Sequence, residues 1–475
     1  MTYLFYDLET SGLSPRTDRI MQFAGQRTDL SFEPVGEPIN TLIKLTSDIL
    51  PNPEAVMMTG ITPQMTLSDG ITEAEFLKFF YLNAVTTDTI FLGFNSIRFD
   101  DEFMRFLHYR NFYDAYQWQY SDGCSRWDLL DCVRMTRALR PEGIKWPFDG
   151  AGAPTNRLEL LTKLNHLDHA HAHNALSDVR ATISLARLIC QKQPKLFEFL
   201  LSMRDKRKVA SLVLENQSFI YTSGTYPSEF EKTTIVTSLG QLPKKQAALV
   251  YDLRHDPSEF LELSPPELAK RWSKWHDDDV QQTLPVKVLQ FNRCPAVAPL
   301  SVLDKGCEDR LQLSLTESSQ NFQKIQKSKK FVENIFKALE LHDKQLQIAW
   351  TSNDQSVDSQ LYNGFLDDHD SKKLSLIRQA SPDELAGFVD EIHDHRLKAL
   401  ILLYKARNYP DALTIEEQKF WQAFCRQRLL SGKEGKKINA YLKLLQELSN
   451  KNKPHSKAAI IEDLHLYALS LMAVE

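Results

Sequence analysis

Long apolar runs, paired cysteines and a basic surplus are all missing from this chain of 475 residues. No stretch approaches the roughly 20 apolar residues that a membrane-spanning helix needs, so no membrane segment is expected. The six cysteines (Cys124, Cys132, Cys190, Cys294, Cys307, Cys425) are widely spread and form no C-x-x-C pair. That argues against a disulfide framework or a cysteine zinc site, and for free thiols in a reducing compartment. Met1 runs directly into a strand-like segment, without the basic and apolar regions of an export signal, so a cytoplasmic location is expected. The formal net charge is −5. The overall basicity of many nucleic-acid binders is therefore lacking, although a local basic groove is compatible with an acidic total. No internal repeat or low-complexity tract is evident. A chain of this length exceeds one hydrophobic core, and two or three domains are expected.

What is present divides by pattern. Residues 1–193 read as α/β, with strands expected at Thr2–Asp7, Arg19–Arg27, Ile39–Leu45 and Thr89–Phe94. Thr62-Pro63, an N-cap followed by a first-turn proline, opens a helical region. Helices are expected from Phe99 to about Tyr109, over Leu158–Leu164 and over Ala175–Cys190, and Asp128–Leu139 reads as a strand passing into a helix. A boundary is placed near 193, before Pro194 and the charged run Arg204–Lys208. Residues 194–349 favour short strands at Ser218–Tyr221, Thr233–Thr237, Ala247–Asp252 and Val286–Phe291, with a helix over 318–340. Residues 350–475 are expected to be helical, with long stretches at Asp383–Tyr404 and Ile415–Leu430.

The chemistry begins at Asp7-Leu8-Glu9-Thr10. Side chains alternate across a strand, so Asp7 and Glu9 project from one face. Two adjacent acids repel each other and are costly to desolvate, and a divalent cation with a preference for hard oxygen ligands relieves both problems. A D-x-E tripeptide also recurs by chance, and Asp100-Asp101-Glu102 is a second one. Asn95-Ser96-Ile97-Arg98-Phe99-Asp100 places Asp100 where a strand hands over to a helix, the usual location of sites in open α/β sheets. In His173-Asn174-Ala175-Leu176-Ser177-Asp178 the five-residue offset does not put both groups on one helical face. Asp178 is expected on the opening turns of a helix and His173 in the loop before it. His166, His169, His171 and His173 also form a short histidine tract, but its spacing fits no common closed zinc site and no cysteine is near.

In order, D-x-E, N-x-x-x-F-D and H-x-x-x-x-D resemble the motifs of the DEDDh exonucleases, which share a ribonuclease H-like fold. Asp7-Leu8-Glu9-Thr10-Ser11-Gly12-Leu13 and Thr59-Gly60-Ile61-Thr62 are similar to that superfamily's opening block and loop-helix signature. Over the whole length the chain resembles the bacterial exodeoxyribonuclease I family, through Asn111-Phe112-Tyr113-Asp114, Ser125-Arg126-Trp127-Asp128-Leu129-Leu130-Asp131, Arg140-Pro141-Glu142-Gly143-Ile144 and Gln360-Leu361-Tyr362-Asn363-Gly364-Phe365. The resemblance implies an exonuclease domain over 1–193, an SH3-like β-rich domain over 194–349 and a helical domain over 350–475. It implies 3′→5′ hydrolysis of single-stranded DNA to 5′-mononucleotides, in DNA repair and recombination. Asp7, Glu9, Asp100 and Asp178 would hold two magnesium ions, or manganese in their place, and His173 would be the general base.

Single strands are held by cations that follow the phosphates and by aromatic faces that stack on bases. Arg98, Arg105, Tyr109, Arg110, Tyr113, Tyr116, Trp118, Tyr120, Arg126, Trp127 and Arg134 interleave the two kinds densely. Packing is the simpler role for Trp127 and Tyr113, whereas Glu9, Arg105, Tyr116, Tyr120, Arg134 and Arg157 are the expected substrate contacts. Arg157 enters through the resemblance. So does a partner, the acidic C-terminal tail of single-stranded DNA-binding protein, for which Arg140 and Arg204–Lys208 are the candidate surface. A solvated charged face is the simpler reading of that cluster. A monomer is expected. Two other functions remain open on the residues: an RNA-trimming or proofreading exonuclease, and an inactive single-strand-binding module.

Overall fold

The computed structural model describes residues 1–167, 174–272, 283–351, 356–430, 437–451 and 455–472. His169, His171 and His173 lie outside the described residues. Contacts divide the chain into two compact units. One comprises Met1–Ser125, His169–Ile183 and Gln355–Glu475, the other Arg126–Asp168 and Ser184–Asp354.

The strands β1 (Thr2–Thr10), β2 (Ile20–Thr28), β3 (Ile39–Leu42), β4 (Thr89–Gly93) and β5 (Ser125–Asp128) form a sheet in the order β3-β2-β1-β4-β5. β1 runs antiparallel to β2 and parallel to β4, so the sheet is mixed. Leu4, Tyr6 and Leu8 alternate onto one face of β1 and join Phe23, Phe76, Phe80, Phe91, Phe103 and Trp118 in a buried cluster. Such packing supplies the main driving force for this layer, at roughly 25 cal/mol per Å² of apolar surface removed from water. The second sheet, in the order β10-β6-β7-β8-β9, is antiparallel throughout. Its strands are β6 (Phe219–Thr222), β7 (Thr233–Leu242), β8 (Ala247–Asp252), β9 (Val286–Gln290) and β10 (Ala296–Pro299).

The expected α/β, β-rich and helical parts are all present, with four local corrections. The stretch after the boundary placed near 193, with the charged run Arg204–Lys208, carries helices Pro194–Ser202 and Lys206–Glu215. β10 was not among the expected strands; it is four residues long and ends at Pro299. The helix expected over 318–340 is two, Leu315–Lys327 and Lys329–Thr351. The helix expected over Asp383–Tyr404 is interrupted. Phe388–Glu391 ends at the extended Ile392, and Asp394 then caps His395–Asn408 by accepting from the Arg396 and Leu397 amides.

In the first unit the C-terminal helices meet the N-terminal strands through buried charge. Asp358 accepts from Arg19 at 2.9 Å, Arg407 at 2.7 Å and Arg428 at 2.7 Å, and Arg407 also reaches Asp48 at 2.8 Å. Glu73 pairs with Arg110 at 2.8 Å and accepts from Asn111. Burial alone would raise the Asp358 carboxyl, but Arg407, Arg19 and Arg428 hold it well below the ordinary carboxylate range. Replacing Asp358 with Asn should leave Arg19, Arg407 and Arg428 with Asp48 as their remaining shared acid and cost about 3–5 kcal/mol. A urea midpoint unchanged from the parent chain would contradict this account.

Candidate active site

The side chains of β1 opposite its apolar cluster include Asp7 and Glu9. β4 pairs only with Thr2–Phe5 of β1. Three residues further on, the Leu8 amide donates to Asp100 Oδ1 at 3.1 Å. Asp100 begins the helix Asp100–Arg110, where a carboxylate is favoured by the helix dipole. The next residue, Asp101, accepts from the Tyr6 hydroxyl and so fixes the start of that helix to β1. Directly after Glu9 the β1–β2 register shifts, and such bulges re-aim side chains at strand ends.

Asp178 arrives from the helix Ala175–Lys192. Asn174 opens this helix: its side-chain oxygen accepts from the Ser177 amide at 3.3 Å and its carbonyl from the Asp178 amide at 3.0 Å. Asp178 therefore sits in the first turn, as the spacing predicts. One carboxylate oxygen from each of Asp7, Glu9 and Asp178 can be chosen so that all three lie within 4.8 Å of one another. Burial, and then the neighbouring Asp178, push the Asp7 carboxyl well above its usual range. Burial, then Asp7 and Asp178, push Glu9 up to about 9. A convergent acidic set with no arginine among the causes of these shifts is the donor chemistry of a hard divalent cation, which would cancel the repulsion.

Beside this set a cleft of about 450 Å³ is lined by Gln22, Thr41, Thr59, Gly60, Ile61 and Asn174, among others. Gln22 is the cross-strand partner of Glu9. Gly60 ends the helix Pro53–Thr59 at φ 75°, and Thr62 caps the helix Pro63–Asp69, so the Thr59–Thr62 signature is a tight helix-to-helix turn.

The expected strand-binding residues divide between the two units. In the first, Arg105 is buried, bonded to Glu102 at 2.6 Å and Gln119 at 3.1 Å, with its guanidinium 5.0 Å from the ring centre of Tyr116. Its charge is thus engaged within the protein, whereas Tyr116 and Tyr120 are 37% and 62% exposed. In the second, Arg134 pairs with Asp131 at 2.6 Å, and Arg157 is exposed ahead of the helix Leu158–Leu164. Trp127 is buried edge-on against Phe197, and Tyr113 stacks on Tyr81 beneath Arg378. Residue reasoning missed Tyr6, Asp101 and Asn174, which position the acids. An Asn directly before the Asp178 helix was a legible cap signal.

Three families match in succession: "Exonuclease" over residues 4–186, "Exonuclease I SH3-like domain" over 204–340 and "Exonuclease I C-terminal domain" over 355–471. Exodeoxyribonuclease I of Haemophilus influenzae is 36% identical, covering 99% of both chains. The chain belongs to the exodeoxyribonuclease I family. It is accordingly a 3′→5′ exodeoxyribonuclease, a phosphodiester hydrolase dependent on divalent metal. Among solved structures, exonuclease I from Methylocaldum szegediense has a TM-score of 0.92 at 38% identity, covering 99% of this chain and 100% of its own. The E. coli enzyme in complex with a dA16 oligonucleotide has 0.90 at 36%, covering 99% of each. An SSB/exonuclease I complex with the inhibitor CFAM has 0.89 at 35%, again covering 99% of each.

The raised carboxyls give a test. In the metal-free protein at pH 7, Glu9 holds a proton that a cation must displace, so binding should release protons. Calorimetry in buffers of different ionisation heat measures this, and identical heats in all buffers would refute it. A raised folded-state carboxyl stabilises the fold below its unfolded value of 4.5, and that contribution is lost as pH rises toward about 9. Metal-free stability should therefore decline over this range, and saturating divalent cation should flatten the decline.

Proposed function

We propose that Asp7, Glu9, Asp100 and Asp178 hold two magnesium ions and that the chain removes 5′-mononucleotides from the 3′ end of single-stranded DNA. The observation that carries this reading is the convergence of Asp7, Glu9 and Asp178 within 4.8 Å, with Asp100 bonded to the backbone between Asp7 and Glu9. When bound, the cations supply the positive charge that makes water more acidic and steadies the attacked phosphate. The protein's own groups do the rest. β1 and the two helix starts fix the acids, and the Gln22–Gly60 cleft receives the terminal nucleotide. His173, neutral near pH 7, accepts the proton of the attacking water.

Tyr116 and Tyr120 stack on bases, and Arg105 supports the Tyr116 ring from below. Arg134 and Arg157 meet phosphates. The oligonucleotide complex of the E. coli relative supports this substrate class. The SSB complex supports the acidic tail of single-stranded DNA-binding protein as partner, docking at Arg140 and the exposed Lys206, Arg207 and Lys208. The working unit is a cytoplasmic monomer with domains at 1–193, 194–349 and 350–475.

Digestion of oligonucleotides labelled at either end, as DNA and RNA, with and without magnesium, tests the reading. Magnesium-dependent loss of the 3′ label from single-stranded DNA is expected, and preferential attack on RNA or on the 5′ end would defeat it. Replacing His173 with Ala should lower turnover by about 10²–10⁴-fold while cation binding persists. Near-parental turnover in that variant would remove His173 from the mechanism.

A further inference from the structure

A second cluster of metal-ligating groups lies in the helical segment of the first unit, away from the β1 acids in sequence and different in chemistry. Asp367 caps the helix Asp368–Gln379, its side chain accepting from the Asp370 amide at 2.7 Å. His369 and Asp370 occupy the first turn of that helix. His393 stands two residues before the helix His395–Asn408. The rings of His369 and His393 stack with centroids 4.3 Å apart and planes inclined by 13°. His393 Nδ1 is 2.9 Å from Asp367 Oδ2, and His369 Nδ1 is 3.1 Å from Asp370 Oδ1. One ligand atom from each of the four residues can be chosen so that all lie within 4.8 Å of one another.

We propose that Asp367, His369, Asp370 and His393 form a structural site for a zinc-type divalent cation, which ties the start of one helix to the approach of the next. The donor set is two imidazole nitrogens and two carboxylate oxygens. Magnesium and calcium prefer oxygen throughout, whereas imidazole suits zinc, cobalt and nickel. A tetrahedral ion with arms of about 2.0–2.1 Å sets its ligands about 3.4 Å apart. The two His–Asp separations already approach that value, and the stacked rings would swing apart to aim both nitrogens at one ion.

Part of the site is built without the ion. Asp370 is buried at 1% exposure and is fixed by the amides of His393 at 3.0 Å and Asp394 at 2.7 Å. Asp367 and both histidines are exposed, which leaves an ion direct access from solvent. The Lys373–Glu391 ion pair joins the same two segments. Arg396 adds bonds from Asp394 to the Gln360 and Gly364 carbonyls. A cation here would close the loop between Asp367 and His393 and stabilise the fold by binding the folded chain in preference to the unfolded one. The helix it anchors carries Arg407, which reaches Asp48 and Asp358. The cluster contains no nucleophile beyond its ligands, so the role assigned is structural.

The test uses the full chain carrying Asp7→Asn and Asp178→Asn, which cripples cation binding at the β1 acids. Equilibrium dialysis against zinc in excess magnesium should find one zinc per chain, and cobalt should give the visible absorption of a four-coordinate ion. His369→Gln with His393→Gln should weaken zinc binding by at least about 10–100-fold. It should also abolish the rise in melting temperature that zinc produces in the parent. The single His369→Ala change, at an exposed position, should weaken zinc binding in the same direction and serves if the double variant folds poorly. No stoichiometric zinc in the parent, or zinc binding unmoved by the histidine changes, would overturn the proposal and leave the cluster as a helix cap with two His–Asp hydrogen bonds.

Discussion

Carboxylates held together against their own repulsion are the constraint around which the candidate active site is built. Asp7 and Glu9 share a strand face by geometry alone, and Asp178 is added from a helix whose cap fixes its first turn. The Tyr6–Asp101 bond, the Leu8–Asp100 bond and the shift in register after Glu9 keep the acids from relaxing into solvent. Each contact is ordinary in isolation. Together they hold a concentration of negative charge that is unfavourable in the protein alone and favourable once a cation is bound. Pre-organisation of this kind places the cost in folding, so that little rearrangement remains when the substrate arrives.

The same unit contains a second group of buried acids with the opposite outcome. Asp48 and Asp358 are at least as buried as Asp7, yet their carboxyls are held low and that of Asp7 is raised. Desolvation acts in one direction at all three. The difference is the arginines: Arg19, Arg407 and Arg428 surround the first pair, whereas the neighbours of Asp7 are acids. Burial therefore does not identify a metal ligand, but burial without a guanidinium does point to one. The arginine-bound acids serve cohesion instead, joining residues near the N-terminus to helices more than three hundred positions away.

The strand geometry of the Asp7–Glu9 pair was legible in the residues, as were the α/β, β-rich and helical parts of the fold. The D-x-E pair fixes its own geometry through strand alternation, and an acid at a strand-to-helix junction needs little context to place. The elements that were misread depended on information outside local pattern. Asp394 restarts a helix where the apolar rhythm runs on, because its capping bonds outweigh the periodicity. Arg105 looked like a groove cation among aromatic neighbours, but its partners Glu102 and Gln119 and the ring of Tyr116 enclose it. The Arg19–Asp48–Asp358–Arg407 group was illegible, since nothing local to any one of those residues names the others. Histidine spacing along the chain is equally silent about tertiary pairs. His369 and His393, which stack on one another, are separated by a chain segment that only the tertiary structure closes.

The two proposed cation sites also bear on each other's selectivity. Transition ions bind most nitrogen and oxygen sites more tightly than magnesium does, so affinity alone would not keep zinc from the β1 acids. Ligand type is the available lever. An all-carboxylate set offers zinc no imidazole, and hard oxygens together with substrate phosphates suit an ion that retains much of its water. An accessible two-imidazole, two-carboxylate set in the same unit provides the better zinc ligands and would fill first when zinc is scarce. The β1 acids would then remain available to a harder, weaker-binding ion, a division that follows from donor chemistry and requires no communication between the sites.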